Sequence, residues 1–454
     1  MPFDKVLVAN RGEIAIRVFR TLREMGIRSV AIYSEADKEA PHLGYADEAV
    51  AVGAAAPAES YLNIDRIVAA AKDCGAQAIH PGYGFLAERA AFAEACRVAD
   101  IVFIGPSPRH IDLMGDKVRA RRTMGDAGMP IVPGVTEPVA TVEEATRIAA
   151  EIGYPVTVKA AAGGGGRGMR IARGPEEIAE AFTGAQGEGA RFFGDATCYL
   201  ERFLENPRHI EFQILADRHG NVIHLGERDC SIQRRNQKLI EESPAPTLNP
   251  AVRAELLDKV ISAIRRIGYE NAGTIECLAV GNEVFFLEMN TRIQVEHCVT
   301  EMVTGVDIVA EQIRLAAGQP LSVRQEDVTF RGHAIECRIN AESAAKGFLP
   351  APGQITGYKE PGGPGVRVDS AAEAGLKITP MYDSMIAKLV VHAADRDAAT
   401  RRMLRALSEF KVGGIRTLIP FHKALLATPQ WAGAQTCKDL TGDRAWLASI
   451  EEQS

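Results

Sequence analysis

From residue 5 to residue 104, short apolar runs alternate with amphipathic helical patterns, and this regularity restricts the chain to few folds. Lys5-Val-Leu-Val-Ala9 reads as a strand and 13–25 as a helix, followed by strands at 29–33 and 48–52. A helix over 64–73, a strand at 76–79, a helix over 90–98 and a strand at 101–104 complete the series. Strands separated by helices pair in parallel, because each helix carries the chain back across the sheet and covers one face of it. Residues 1–114 are therefore expected to form an α/β domain around a doubly wound parallel sheet. Ligand crevices in such sheets open beyond the carboxyl ends of the strands, where His80-Pro-Gly-Tyr-Gly84 falls.

The pattern then changes. Helices are expected over 116–127 and 142–152 and a strand over 154–159, followed by Gly163-Gly-Gly-Gly-Arg-Gly168. Gly163, Gly165 and Gly168 formally spell GxGxxG, but that motif carries meaning only where a strand turns into a helix. Here 169–172 reads as a second strand, and no GK[ST] closes the run as in a Walker loop. A hairpin flap whose backbone N–H groups close over phosphates fits better. Strands are expected at 197–204, 209–216 and 221–226, leading into Glu227-Arg-Asp-Cys-Ser-Ile-Gln-Arg-Arg-Asn-Gln-Lys238. That cationic segment either grips an acidic ligand or forms a solvated basic loop.

After a helix at 250–267 and Gly273-Thr-Ile-Glu276 comes Glu288-Met-Asn-Thr-Arg-Ile-Gln-Val-Glu-His297. Glu288, Asn290, Arg292, Gln294 and Glu296 alternate there, and in an extended backbone they point to one face. Two carboxylates, two amides and a guanidinium aimed at one cavity suit a site for a metal and an anion. Beyond it lie a helix at 307–317 and a strand at 331–340 containing Arg338. Gly/Pro-rich loops at 350–364, strands at 366–370 and 385–392, and a helix at 397–410 mark a third, mixed region.

Composition narrows the partners. The net charge is −7 and no long basic run occurs, which argues against nucleic acid. No apolar stretch reaches the roughly eighteen residues of a membrane span. The chain enters its first strand with no signal peptide in view. Eight cysteines are scattered without a CxxC pair, as expected of small buried hydrophobes in a cytoplasmic protein.

Several blocks together resemble the biotin carboxylase component of biotin-dependent carboxylases, within the ATP-grasp superfamily. They are Ala9-Asn-Arg-Gly-Glu-Ile-Ala15, His80-Pro-Gly-Tyr-Gly-Phe85, Met114-Gly-Asp-Lys117, Lys159-Ala-Ala-Ala-Gly-Gly-Gly-Gly-Arg-Gly-Met169, Glu288–His297, Glu336-Cys-Arg-Ile-Asn340 and Tyr382-Asp-Ser-Met-Ile-Ala-Lys388. The resemblance implies an N-terminal α/β domain (1–114), an ATP-grasp domain (115–330) with a glycine-rich lid at about 132–203, and a mixed α+β C-terminal domain (331–447). It implies that Lys117 and Lys159 neutralise ATP phosphates, that Gly165 and Gly166 cover them, and that Glu201, Arg202, Phe203 and Leu204 meet the adenine. His209 and Asn236 would lie near the nucleotide. Glu276, Glu288 and Asn290 would hold magnesium or manganese. Lys238, Arg292, Gln294 and Val295 would hold bicarbonate, Glu296 would accept its proton, and Arg338 would face biotin.

The implied reaction runs through carboxyphosphate, which collapses to carbon dioxide and phosphate. That phosphate takes the N1′ proton of biotin, and Arg338 stabilises the enolate-like oxygen. No Met-Lys dipeptide occurs, so the biotin attachment site is expected on a separate carrier protein, with a carboxyltransferase on other chains. A homodimer is implied as well. The acceptor is expected to be an acyl-CoA, with pyruvate or urea as alternatives, chosen outside this chain. Departures from the family pattern are Ala87, Arg89, Asn236, Leu418 and Cys298. Cys298 replaces a usual proline and is expected to set a thiol beside the site.

Overall fold

The computed structural model describes residues 3–135, 137–160 and 168–452. Strands β1 (Lys5–Val8), β2 (Arg28–Ser34), β3 (Glu48–Gly53), β4 (Ala78–His80) and β5 (Val102–Phe103) form a parallel sheet ordered β3-β2-β1-β4-β5. All four residues of β1 are buried, as a strand covered on both faces requires. Helix α1 (Gly12–Glu24) turns Ile14, Val18, Phe19 and Leu22 inward, while α2 (Ile64–Asp73) and α3 (Ala90–Val98) pack against the sheet from other connections. At the carboxyl ends of the strands, Asn10 Nδ2 donates to the carbonyls of Pro81 at 2.8 Å and Tyr83 at 2.7 Å. This cross-link fixes the mouth of the crevice.

Two helices lead out of this sheet. Helix α4 (Pro108–Gly115), which the apolar periodicity does not announce, opens with proline at its first position and Ser107 as cap. Helix α5 (Lys117–Asp126) starts at Lys117 because Asp116 accepts the N–H groups of Val118 and Arg119, both at 3.0 Å. Such a cap is worth about 1 kcal/mol. Helix α6 (Val142–Ile152) and α7 (Ile178–Phe193) then cover one face of a small antiparallel sheet of β6 (Val156–Ala160), β7 (Met169–Ala172) and β8 (Cys198–Arg202). Lys159 pairs with Met169 in it. The glycine run that joins these strands, including Gly165 and Gly166, lies outside the described residues up to Gly168.

The large sheet holds eight antiparallel strands. Its first five in space are β13 (Glu283–Asn290), β12 (Asn271–Val280), β9 (Arg208–Ala216), β10 (Val222–Arg234) and β11 (Gln237–Ser243). It continues through β14 (His333–Asn340), the strand Met385–Ala393 and the strand Val366–Ser370. One sheet thus runs without interruption across the boundary expected at 330/331. Helix α8 (Pro250–Ile267) covers one end of it, and α9 (His297–Thr304), α10 (Ile308–Ala316) and α11 (Arg396–Glu409) pack on the rest.

Two local expectations are corrected. The cationic segment 227–238 is not a loop, because most of it lies in the β10–β11 hairpin and Arg228 is fully buried. The alternating stretch 288–297 is extended only to Asn290. From Thr291 the chain bends into α9, whose N-cap is Glu296, so the later side chains reach the cavity from a turn rather than from a pleat.

Candidate active site

A cavity of about 1820 Å³ lies over the carboxyl end of the parallel sheet and the face of the large one. It is lined by Lys117, Phe203, Leu204, His209, Asn236, Lys238, Glu276, Glu288, Asn290, Arg292, Gln294, Val295, Glu296 and Arg338. Residues from five strands and two helix starts therefore meet in one space, although they are spread over more than two hundred positions.

One wall is anionic and rich in oxygen donors. Glu276 on β12 faces Glu288 on β13 in register. Its Oε1 accepts from Gln294 Nε2 at 2.7 Å, Asn290 Nδ2 at 2.8 Å and Lys238 Nζ at 3.0 Å, and its Oε2 lies 2.8 Å from His209 Nε2. Burial pushes Glu276 up, but His209 and Lys238 outweigh that and hold it well below the usual carboxylate range. Glu288 is more open, with Lys117 Nζ at 3.6 Å. Two carboxylates and an amide at this spot match the ligand preference of a hard divalent cation.

Adjoining it through Lys238 is a chain of alternating charge. Lys238 Nζ donates to Glu211 Oε2 and to Glu296 Oε1, both at 2.5 Å. Glu296 Oε2 accepts from Arg338 Nη2 at 2.9 Å, and Arg338 Nε donates to Glu241 Oε1 at 2.6 Å. Glu296 is 2% exposed, so its charge depends on these partners. Burial raises its pKa, yet Lys238, Arg338 and Arg228 overcome burial and keep it ionised. Its place at the N-terminus of α9 favours the same charge. Arg292 Nη2 donates to Asn290 Oδ1 at 2.7 Å and its Nε to Glu88 Oε2 at 2.9 Å.

Other predicted residues are placed elsewhere. Lys159 is ion-paired with Glu201, which also accepts from Arg121 Nη1 at 2.9 Å. Arg202 forks onto both oxygens of Glu283 at 3.0 Å. None of Lys159, Glu201 and Arg202 lines the cavity, whereas Phe203 and Leu204 do. Cys298 is a correction. Its thiol is fully buried against Val299, Val303, Ala334 and Val390, and it lies 3.2 Å from Asp369 Oδ2, not at the cavity wall.

Sequence reasoning missed the groups that hold the wall from behind. Arg228 donates to Glu211 Oε1 at 2.5 Å, Gln213 Oε1 at 2.8 Å, Thr300 Oγ1 at 2.9 Å and Gln294 Oε1 at 2.6 Å. It thereby turns the Gln294 amide so that Nε2 faces Glu276. Lys388 is fully buried, and its Nζ donates to the Val295 carbonyl at 2.8 Å with Glu13 Oε2 at 3.3 Å. A detectable signal existed for Glu211, since an acid inside the apolar strand 209–216 needs a cation.

Comparison with known proteins agrees along the chain. Residues 2–111 match the biotin carboxylase N-terminal domain family, 116–324 the ATP-binding domain of the carbamoyl-phosphate synthase L chain, and 336–440 the biotin carboxylase C-terminal domain. The chain is 56% identical to a biotin carboxylase of Nostoc sp. over 432 residues, which cover 95% of it and 97% of the relative. It is also 56% identical to a pyruvate carboxylase subunit of Methanothermobacter thermautotrophicus, over 93% of this chain and 86% of that one. A solved structure of the Hydrogenobacter thermophilus 2-oxoglutarate carboxylase biotin carboxylase domain dimer, with MgADP, ADP and bicarbonate, is 51% identical. It superposes with a TM-score of 0.87 over 97% of this chain and 99% of that one. With identity this high over nearly its whole length, and with domain families in this order, the chain belongs to the biotin carboxylases.

Proposed function

We propose that this chain carboxylates biotin presented by a separate carrier protein, using ATP and bicarbonate through carboxyphosphate. One observation carries the reading: Glu296 touches both Lys238 and Arg338, linking the cation assigned to bicarbonate with the one assigned to biotin. Bicarbonate held by Lys238, Arg292, the Gln294 amide and the backbone of Val295 lies within reach of Glu296. An anion there competes with Glu296 for Lys238, which raises the proton affinity of the carboxylate as the bicarbonate proton must leave. Arg292 supplies a planar fork suited to the carboxyphosphate oxygens.

Lys117, Lys159 and the glycines Gly165 and Gly166 are assigned to the ATP phosphates. Glu201, Arg202, Phe203, Leu204, His209 and Asn236 are assigned to the nucleotide. Glu276, Glu288 and Asn290 would hold magnesium or manganese, a fit supported by the oxygen donors gathered on that wall. The cation, when bound, offsets charge on the transferring phosphoryl group. Arg338 then stabilises the oxygen of deprotonated biotin.

A biotin carboxyl carrier protein and a carboxyltransferase are the proposed partners, with a homodimer as the working unit. The dimeric 2-oxoglutarate carboxylase domain supports the latter. Relatives of equal identity belong to biotin carboxylase and to pyruvate carboxylase, which supports an acceptor chosen by the partner subunits rather than here. Eight unpaired cysteines support a cytoplasmic setting, and no helix among the described residues is long and apolar enough to cross a membrane.

The test is fixation of labelled bicarbonate onto free biotin by wild type and Arg338→Gln. ATP-dependent fixation by wild type and its loss in the variant, with ATP binding retained, is the expected result. Fixation at the wild-type rate by Arg338→Gln would remove Arg338 from the biotin step.

A further inference from the structure

Behind Arg338, two acids stand opposite each other on neighbouring strands. Glu241 of β11 and Glu336 of β14 are direct antiparallel partners, so their Cβ atoms are roughly 5 Å apart on one face of the sheet. Both are completely buried. Glu241 spends Oε1 on Arg338 Nε at 2.6 Å. Its Oε2 and both oxygens of Glu336 have no hydrogen-bond partner among the described residues.

The charged and titratable groups around this pair do not neutralise it. On β14 itself there is Arg338, shared already with Glu296. Farther along β11 lies Lys238, held by Glu211, Glu276 and Glu296. The strand Met385–Ala393 contributes Lys388, committed to the Val295 carbonyl and close to Glu13. Asp369 from the strand Val366–Ser370 adds a further negative charge beside Lys388. The start of α9 offers Glu296, His297 and the Cys298 thiol, and β10 offers Arg228, bound to Glu211, and the Cys230 thiol. Two bare carboxylates in such a place are strongly disfavoured, whereas a carboxylic acid donating to a carboxylate satisfies an orphan oxygen on each side.

Resting on the biotin carboxylation reading, we propose that Glu241 and Glu336 share one proton and act as a positioning pair for Arg338. The shared proton leaves Glu241 Oε1 charged toward Arg338 Nε and ties Oε2 to Glu336. Burial raises both acids, Glu241 to about 7 and Glu336 well above its usual range, which favours a retained proton. The arrangement matters when Glu296 takes the proton of bicarbonate. Glu296 is then neutral and loosens its hold on Arg338 Nη2, while Nε stays anchored on Glu241. The guanidinium thus offers its freed edge to biotin without changing direction. No other proton moves: one passes from bicarbonate to Glu296, and the pair keeps its own.

Infrared spectroscopy tests the shared proton directly. The spectrum of wild type minus that of Glu336→Gln at neutral pH should show a buried carboxylic-acid C=O band, which wild type loses on alkaline titration. Absence of such a band, or a band unmoved by both Glu336→Gln and Glu241→Gln, overturns the proposal. Kinetics test the positioning role. Glu241→Gln should lower the stimulation of phosphate release by biotin roughly 10- to 100-fold relative to release with bicarbonate alone, the scale of one lost charged hydrogen bond. Glu336→Gln should flatten the alkaline limb of the biotin-dependent rate, since an amide donates to Glu241 but cannot ionise. Equal loss in both assays for Glu241→Gln, or an unchanged alkaline limb for Glu336→Gln, would overturn the positioning role. Wild-type protein without bicarbonate-dependent phosphate release would instead contradict the functional reading, and the infrared band would then decide the shared proton alone.

Discussion

Glu296 is gripped by Lys238 on one oxygen and Arg338 on the other, so its side chain is both ionised and fixed in direction. Replacing it with glutamine keeps the shape and removes the base. Glu296→Gln is predicted to lose roughly 10²- to 10⁴-fold of bicarbonate-dependent phosphate release, the span of general-base catalysis. ATP affinity, read by calorimetry, should stay near wild type, and unchanged turnover would exclude Glu296 as the base. Cys298 leads to the opposite kind of prediction. Its thiol is buried and burial pushes its pKa well up, so it is neither accessible nor nucleophilic. Peptide mapping after alkylation of the native protein should find Cys298 unmodified, with or without ATP and bicarbonate. Rapid labelling that ligands block would contradict this placement. At this scale the alternation over 288–296 exposed Glu288, Asn290, Arg292, Gln294 and Glu296, while Lys117, His209 and Arg338 stood out only through the family resemblance. The sequence hid Arg228, Glu241 and Lys388, whose importance comes from partners on other strands.

The β10–β11 hairpin carries much of the site, and its central cation is structural. Arg228 and Glu211 are both completely buried and joined at 2.5 Å. Removing one member of such a pair leaves an uncompensated charge, which costs about 3–5 kcal/mol. Arg228→Met is therefore predicted to lower the stability read from urea unfolding by that amount and to weaken the Gln294 contact with Glu276. A stability loss below about 1 kcal/mol would show that Glu211 is neutralised by Lys238 alone. The sequence leaves this segment open between a grip on an acidic ligand and a solvated basic loop, because charged residues outnumber apolar ones over 227–238. The structure removes the solvated loop for a physical reason: β10 is buried on both faces as far as Ile232, and opposed charges replace the usual hydrophobic run. The stretch 288–297 departs in a milder way. Alternation holds through Asn290, and the bend into α9 is invisible in the sequence because no Gly or Pro marks it.

At the level of the whole molecule, buried ion pairs tie the three regions together. Arg17 of α1 donates to Glu301 of α9 at 2.9 Å, and Arg367 of the strand Val366–Ser370 reaches the other oxygen of Glu301 at 2.8 Å. Burial pushes Glu301 up, but Arg17, His297 and Arg367 outweigh it and hold it at about 2. A depressed folded-state pKa contributes stability that is present above the ordinary value of 4.5 and lost as pH falls toward about 2. Glu13 and Glu241, raised from 4.5 to about 7, carry the opposite sign and cost stability as pH rises through that interval. The acid limb therefore belongs to Glu301 and similar groups. Thermal melts should show Tm falling steeply below about pH 4.5, and Glu301→Gln should flatten that fall. A Tm equally steep in the variant would contradict the assignment. The parallel sheet was legible from strand–helix alternation except at β3, which follows β2 with no α-helix between them and still pairs with it in parallel. The continuity of the eight-stranded sheet across 330/331 was not legible, since it depends on β11 pairing with β14 about a hundred residues away.

The most direct test of the account is phosphate release from ATP by the purified chain with magnesium, without bicarbonate, with bicarbonate, and with bicarbonate and free biotin. Release that requires bicarbonate and rises again with biotin is the predicted result. Release indifferent to both additions would contradict the assignment of Lys238, Arg292, Glu296 and Arg338 to this chemistry.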